Sequence, residues 1–229
     1  MAQITDPSLP VILCFHGHGT NGSIYRYQAR TVVQVLAPKF RFVFVDSPLE
    51  TPQPGPGVPP FLADAKPYRR WHHDENTAGF FDLTSGDIES ERRQVRDTLA
   101  GHIERDQPVG IMAFSQGTRV AAALCLDSVL GANIKFVIMI CGAVPLLPLA
   151  TGLQPQMLNL PSVHVQGSAD PWFGRAKRLV QEYFNPKCAR TVRFHTGHEV
   201  PSRLREAEKI SDEVIAAYES VSRDSSVVV

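Results

Sequence analysis

Six short apolar runs punctuate the chain, at residues 11–15, 40–45, 109–114, 136–140, 163–166 and 191–195. Near-continuous apolar character over so few residues marks a strand covered on both faces, because a half-exposed strand alternates instead. Between the runs, apolar residues recur at helical spacing. Residues 23–37 carry Ile24, Tyr27, Val32, Val35 and Leu36, and residues 88–103 carry Ile88, Val95, Leu99 and Ile103 among many charges. Residues 118–130 are apolar nearly all round, as a central helix is. Residues 174–184 and 202–221 complete the series, the last with Leu204, Ala207, Ile210, Val214 and Tyr218 on one face. Strand and helix in alternation predict an α/β fold, a mainly parallel sheet of about six strands with helices on both faces, joined by right-handed crossovers.

One interval breaks the alternation. Seven of the 18 prolines fall between Pro48 and Pro67, and so many residues with a fixed φ and no N–H exclude a regular helix or a central strand there. Residues 48–87 are therefore expected to form an excursion over the carboxyl end of the sheet, where open α/β folds bind ligands. With no repeat and no second core in the pattern, residues 1–229 are expected to be a single domain with a frayed tail at about 223–229.

Composition removes several function classes. The 23 basic and 23 acidic side chains leave no net charge to draw the chain to nucleic acid or to a membrane surface. The first ten residues lack a basic and apolar secretory signal, and no run approaches the length of a membrane span, so a cytoplasmic location is expected. Cys14, Cys125, Cys141 and Cys188 form no CxxC pair, which disfavours a zinc site and fits free thiols.

Candidate chemistry begins at Ala113-Phe114-Ser115-Gln116-Gly117, which joins the third apolar run to the central helix. That is the layout of a nucleophile elbow: a serine held out on a strand-to-helix turn, with small residues two before and two after so that the turn passes without collision. Acyl transfer by serine also needs a base, an acid that orients it and N–H donors for the oxyanion. His198, in His195-Thr196-Gly197-His198 after the sixth run, is the candidate base. His195 is its competitor, but it belongs to the strand end, where the sheet would fix its side chain. Asp170, in Ser168-Ala169-Asp170-Pro171-Trp172 after the fifth run, is the candidate acid, with helix capping as the alternative role. Serine, acid and histidine then fall in the order of a hydrolase elbow.

For the oxyanion, the elbow geometry takes one backbone N–H from the residue after the serine, Gln116, and one from the loop after the first strand. We assign the second to His18, in Phe15-His16-Gly17-His18-Gly19-Thr20, with His16 as a buttress of that loop. A phosphate-binding loop is the rival, but neither GxxxxGK[ST] nor GxGxxG is present. His72, His73 and Asp74 resemble metal ligands, yet sequence neighbours rarely chelate one ion, so a solvated loop and no metal are expected. The aromatics Phe61, Tyr68, Trp71, Phe80 and Phe81, with Trp172 and Phe173, either line an acyl pocket or pin the excursion as a small core.

With these residues assembled, the chain resembles the fungal FSH family of serine hydrolases, related to the ovarian-cancer-associated hydrolases. The resemblance rests on Cys14-Phe15-His16-Gly17-His18-Gly19, Phe114-Ser115-Gln116-Gly117, Gly167 with Asp170-Pro171, and Gly197-His198 with Pro201. It implies an α/β-hydrolase fold, a triad mapping to Ser115, His198 and Asp170, and no cofactor. The elbow Ala-Phe-Ser-Gln-Gly-Thr-Arg and the proline-rich middle are further similar to stand-alone thioesterases of fungal polyketide clusters, of the lovastatin-pathway type. This implies hydrolysis of an acyl thioester on the acyl carrier domain of a polyketide synthase. The rivals are a broad carboxylesterase acting on small esters or lactones, and a catalytically idle hydrolase fold used for binding.

Overall fold

The computed structural model describes residues 6–73, 84–144, 149 and 156–224. In chain order these form β1 (Val11–Phe15), α1 (Gly22–Gln28), α2 (Arg30–Leu36), β2 (Arg41–Val45), the short β3 (Leu49–Thr51) and β4 (Tyr68–Arg70), and α3 (Ser85–Asp106). There follow β5 (Gly110–Phe114), α4 (Gln116–Leu126), β6 (Phe136–Ile140), β7 (Ser162–Gly167), α5 (Phe173–Tyr183), β8 (Ala189–Phe194) and α6 (Leu204–Asp224).

The six apolar runs become one parallel sheet in the order β2-β1-β5-β6-β7-β8. Strands β1, β5, β6 and β7 are buried at every position, which is why their sequences do not alternate. At the edge, β8 exposes Arg190, Thr191 and Arg193. One core layer packs Val95, Leu99, Val120, Leu124 and Leu179, from α3, α4 and α5, on one face of the sheet. The other packs Tyr25, Val32, Leu36, Ala207, Ile210 and Val214, from α1, α2 and α6, on the opposite face. No helix among the described residues is long and apolar enough to cross a membrane.

Two elements differ from the sequence pattern. The expected helix over 23–37 is divided at Ala29, whose φ of −87° and ψ of 2° interrupt it. Ala29 is fully buried, and the bend keeps Tyr25 before it and Val32 and Leu36 after it in the same core layer. Within the proline-rich interval, β3 and β4 pair antiparallel, Leu49 opposite Arg70 and Thr51 opposite Tyr68, as a separate two-stranded sheet. Pro48 directly precedes β3 and the other prolines lie between these strands, where no ladder needs their missing N–H.

The excursion is tied down through β4. Arg70, nearly buried, forms a two-pronged ion pair with Glu91 of α3, its Nη1 2.7 Å from Oε2. Arg69 continues the pairing into the loop after β1. The Gly19 N–H donates to the Arg69 carbonyl at 2.9 Å, and the Arg69 N–H to the Thr20 carbonyl at 2.7 Å. Because β2 lies on one side of β1 and β5 on the other, the chain diverges at their carboxyl ends and opens a crevice there.

Candidate active site

Ser115 stands at that crevice, between β5 and α4, with φ 51° and ψ −119°. A positive φ is strained for a side chain with a Cβ and persists only where the surroundings over-determine it. Here the Ser115 N–H donates to the Ile140 carbonyl at 3.0 Å, and the Ser115 carbonyl accepts from the Thr118 N–H at 3.0 Å and the Thr118 hydroxyl at 2.6 Å. Gly117 lets α4 start this close to β1, since a Cβ there would sit 2.6 Å from the Phe15 carbonyl oxygen. Ala113, two residues before the serine, pairs with Phe15 and Met139 inside the sheet, where its methyl is accommodated.

His198 and Asp170 arrive from the loops after β8 and β7. His198 Nε2 is 2.8 Å from Ser115 Oγ, and its Nδ1 is 2.8 Å from Asp170 Oδ2. A carboxylate only accepts, so Nδ1 carries the ring proton and Nε2 is left to accept from the serine hydroxyl. The side chains are 10% and 2% exposed, respectively. Asp170 holds its own turn as well, its Oδ1 accepting from the Trp172 N–H at 2.8 Å. The Trp172 ring meets the imidazole edge-on at 4.5 Å, and Phe114 packs against it at 5.1 Å. His195 is exposed just past the end of β8, with Nδ1 3.2 Å from Ser168 Oγ.

The loop after β1 is held by groups distant in sequence. His16 Nε2 accepts from the Ser47 N–H at 3.2 Å, so its Nδ1 is the donor to the Gly17 carbonyl at 2.7 Å. Burial pulls the His16 imidazole down to about 4 from its usual 6.5, which keeps it neutral in this role. The fully buried Trp71 donates from Nε1 to the His16 carbonyl at 2.8 Å. The Trp71 N–H in turn donates to Gln116 Oε1 at 2.8 Å, and Gln116 Nε2 donates to the His72 carbonyl at 3.3 Å. The β1 loop, the excursion and the start of α4 are thus one hydrogen-bonded unit. Gly19, at φ 66°, lies so close to Gly55 that a Cβ on it would fall 2.0 Å from the Gly55 nitrogen.

Two lobes of a cleft meet at Ser115. One is lined by Gly17, His18, Pro56 and Phe114, and the other by Gln116, Arg119, Cys141, Ala143 and Arg175. Ser115, His18, Trp172 and His198 face both. Of the aromatics singled out from the sequence, Trp172 lines the cleft. Trp71 is a buried post beneath it, its ring tilted against Phe15 and His16 at 5.2 and 5.0 Å. Tyr68 is buried with its hydroxyl on the Ala63 carbonyl, and Phe61 is exposed against Tyr27. Phe173 packs under Lys177 and Arg193, while Phe80, Phe81 and Asp74 lie outside the described residues.

Sequence reasoning placed Cys141 only among the free thiols. It follows β6 with φ 47°, buried, its Sγ 3.5 Å from the Glu199 carbonyl in the loop that carries His198. Burial, with the Asp170 carboxylate beside it, pushes the thiol up to about 12. Among the described residues, Cys141, Asp170 and His198 form a group whose potential metal-ligating atoms all lie within 4.8 Å of one another. No local pattern signals this, because residues 141, 170 and 198 meet only through the sheet. His72 instead turns its Nδ1 to the His73 carbonyl at 3.0 Å.

Comparison with known proteins gives the lineage of this arrangement. The fold is that of α/β hydrolases: a Bacillus cereus carboxylesterase superposes with a TM-score of 0.59 at 16% identity, covering 93% of this chain and 91% of its own. Among curated proteins, thioesterase FSL2 of Gibberella zeae is 42% identical over 240 residues, covering 96% of each chain. Esterase FUS5 of Gibberella fujikuroi is 29% identical, covering 93% of this chain and 89% of its own. The model of the serine hydrolase family FSH1 matches residues 7–210, and the chain belongs to that family of serine hydrolases.

Proposed function

We propose that Ser115, His198 and Asp170 are a catalytic triad that hydrolyses an acyl thioester through an acyl-enzyme. The observation that carries this reading is the unbroken relay from Ser115 Oγ through both nitrogens of His198 to Asp170, 2.8 Å at each link. His198 Nε2 takes the hydroxyl proton as Ser115 Oγ attacks the carbonyl carbon. Asp170 holds the Nδ1–H tautomer and stabilises the imidazolium that forms. The backbone N–H groups of Gln116 and His18 receive the oxyanion. The imidazolium then protonates the departing thiolate, and the neutral ring activates water to release the acid and free the serine.

A thioester is favoured by the high similarity to a named thioesterase. The acyl donor we infer is a polyketide chain on the acyl carrier domain of a fungal polyketide synthase. The lobe lined by Trp172, Phe114 and Pro56 would take the acyl chain, and the lobe with Arg119 and Arg175 would take the carrier arm with its phosphate. Ser115→Ala should keep the far-ultraviolet circular dichroism of the parent, lose fluorophosphonate labelling and lower hydrolysis by about 10⁴-fold or more. Labelling that persists in this variant would remove Ser115 from its role. A second reading, a carboxylesterase on small free esters, is favoured by the relatives named esterases. Equal turnover of an acyl-carrier thioester and a p-nitrophenyl ester of the same acyl group would decide for it.

A further inference from the structure

We propose that Cys141, Asp170 and His198 form an inhibitory site for a thiophilic divalent cation of the zinc class. Thiolate, carboxylate and imidazole are the donor types that Zn²⁺ prefers. Tetrahedral Zn²⁺, with bonds of about 2.0–2.3 Å, needs its donors roughly 3.3–3.6 Å apart. The three ligand atoms already lie within 4.8 Å of one another, so closing on an ion asks each to move by about an ångström or less. Cys141 is held at the place required, between β6 and the loop that carries His198, with its Sγ near the Gly197 and Glu199 carbonyls. Cys141 and His198 also line the same lobe as Ser115, so an ion entering the cleft reaches them, and solvent in that lobe supplies a fourth ligand.

Coordination balances simply. The Cys141 thiol gives its proton to water as the Zn–S bond forms, and Asp170 binds as the carboxylate it already is. If His198 binds through Nδ1, the proton there moves to Nε2; if it binds through Nε2, that lone pair is occupied. In either geometry the ring no longer accepts the Ser115 proton, and hydrolysis stops. The same site could not hold Mg²⁺, which demands a nearly all-oxygen octahedral shell.

Binding depends only on the three side chains, whereas inhibition also rests on the triad reading above, so the two are measured separately. Zn²⁺ is titrated into the full chain by calorimetry, in parallel with p-nitrophenyl butyrate hydrolysis, with Mg²⁺ as the control and a chelator to reverse the effect. We expect one Zn²⁺ per chain, loss of hydrolysis with the same midpoint, recovery on chelation, and no effect of Mg²⁺. Cys141→Ala and Cys141→Ser, each normalised to its own metal-free rate and checked for folding by circular dichroism, should need at least about tenfold more Zn²⁺ for half-inhibition. Inhibition of both variants at the parent's Zn²⁺ concentration overturns the site, as does absence of stoichiometric binding to an active parent. Stoichiometric binding that leaves hydrolysis intact overturns the inhibitory site, while the triad reading stands or falls separately on fluorophosphonate labelling of Ser115→Ala.

Discussion

A methyl group is the smallest probe of the elbow, and Gly117→Ala would place one 2.6 Å from Phe15 oxygen and 2.7 Å from His16 oxygen. Both are backbone atoms of a strand end and cannot swing aside, so α4 must retreat, at a cost of about 1–3 kcal/mol. Because that retreat drags Ser115 off His198, hydrolysis should fall further than stability; urea unfolding and turnover measured on one preparation check this. A second test at this scale concerns buried imidazoles. Burial lowers His16 to about 4 and His164 to about 3. The unfolded chain therefore binds more protons than the folded one from about pH 6.5 down to those values, and stability falls as pH falls through that window. Each histidine should contribute a slope of about 1.4 kcal/mol per pH unit. Urea midpoints between pH 7 and pH 5 should show it, and His164→Gln should remove the His164 share while that of His16 remains. That Ser115, Asp170 and His198 come together was legible in the sequence because each is a distinctive residue one to four positions after an apolar run. Cys141 and the side-chain links of Gln116 were not, since the partners in these links lie 44 to 58 residues away and no short motif records them.

The six strands were legible as elements for a physical reason: β1, β5, β6 and β7 are covered on both faces and tolerate little but apolar residues. Two elements escaped. Ala29 is a good helix former and gives no breaking signal, so the division between α1 and α2 comes from tertiary packing overriding propensity. Strands β3 and β4 are three residues each, too short for a period to appear, and they are set among prolines. Besides the backbone bonds to the β1 loop, a buried ion pair holds them. Glu91→Ala would take the two-pronged ion pair away from the Arg70 guanidinium, whose side chain is 4% exposed. Removing one member of a buried pair typically costs about 3–5 kcal/mol. We expect Glu91→Ala to lose stability of that order by denaturant unfolding, and Glu91→Asp to recover part of it. A cost under about 1 kcal/mol would class the pair with exposed ones.

For the whole molecule, the sheet order is the organising fact: the switch between β1 and β5 puts the His18 loop and Ser115 on facing sides of one crevice. The alternation of strand and helix was enough to predict that architecture, but not the shape of the cleft, which depends on how the proline-rich interval returns over it. The proposed division of the cleft makes a prediction at this scale. Arg119→Ala and Arg175→Ala should raise KM for an acyl-carrier thioester by about tenfold while leaving KM for a p-nitrophenyl ester of the same acyl group near the parent's. Equal effects on both substrates would detach the arginines from the carrier.

The contact between Gly19 and Gly55 has an evolutionary consequence. By fastening the excursion to the β1 loop part-way along, it divides one long detour into two shorter segments, so a change in length on one side need not disturb the other. The stretch between Gly55 and Tyr68 can then gain, lose or exchange residues while the β1 loop beside Ser115 stays fixed. Such a chain is suited to diversifying what it accepts without reinventing how it reacts.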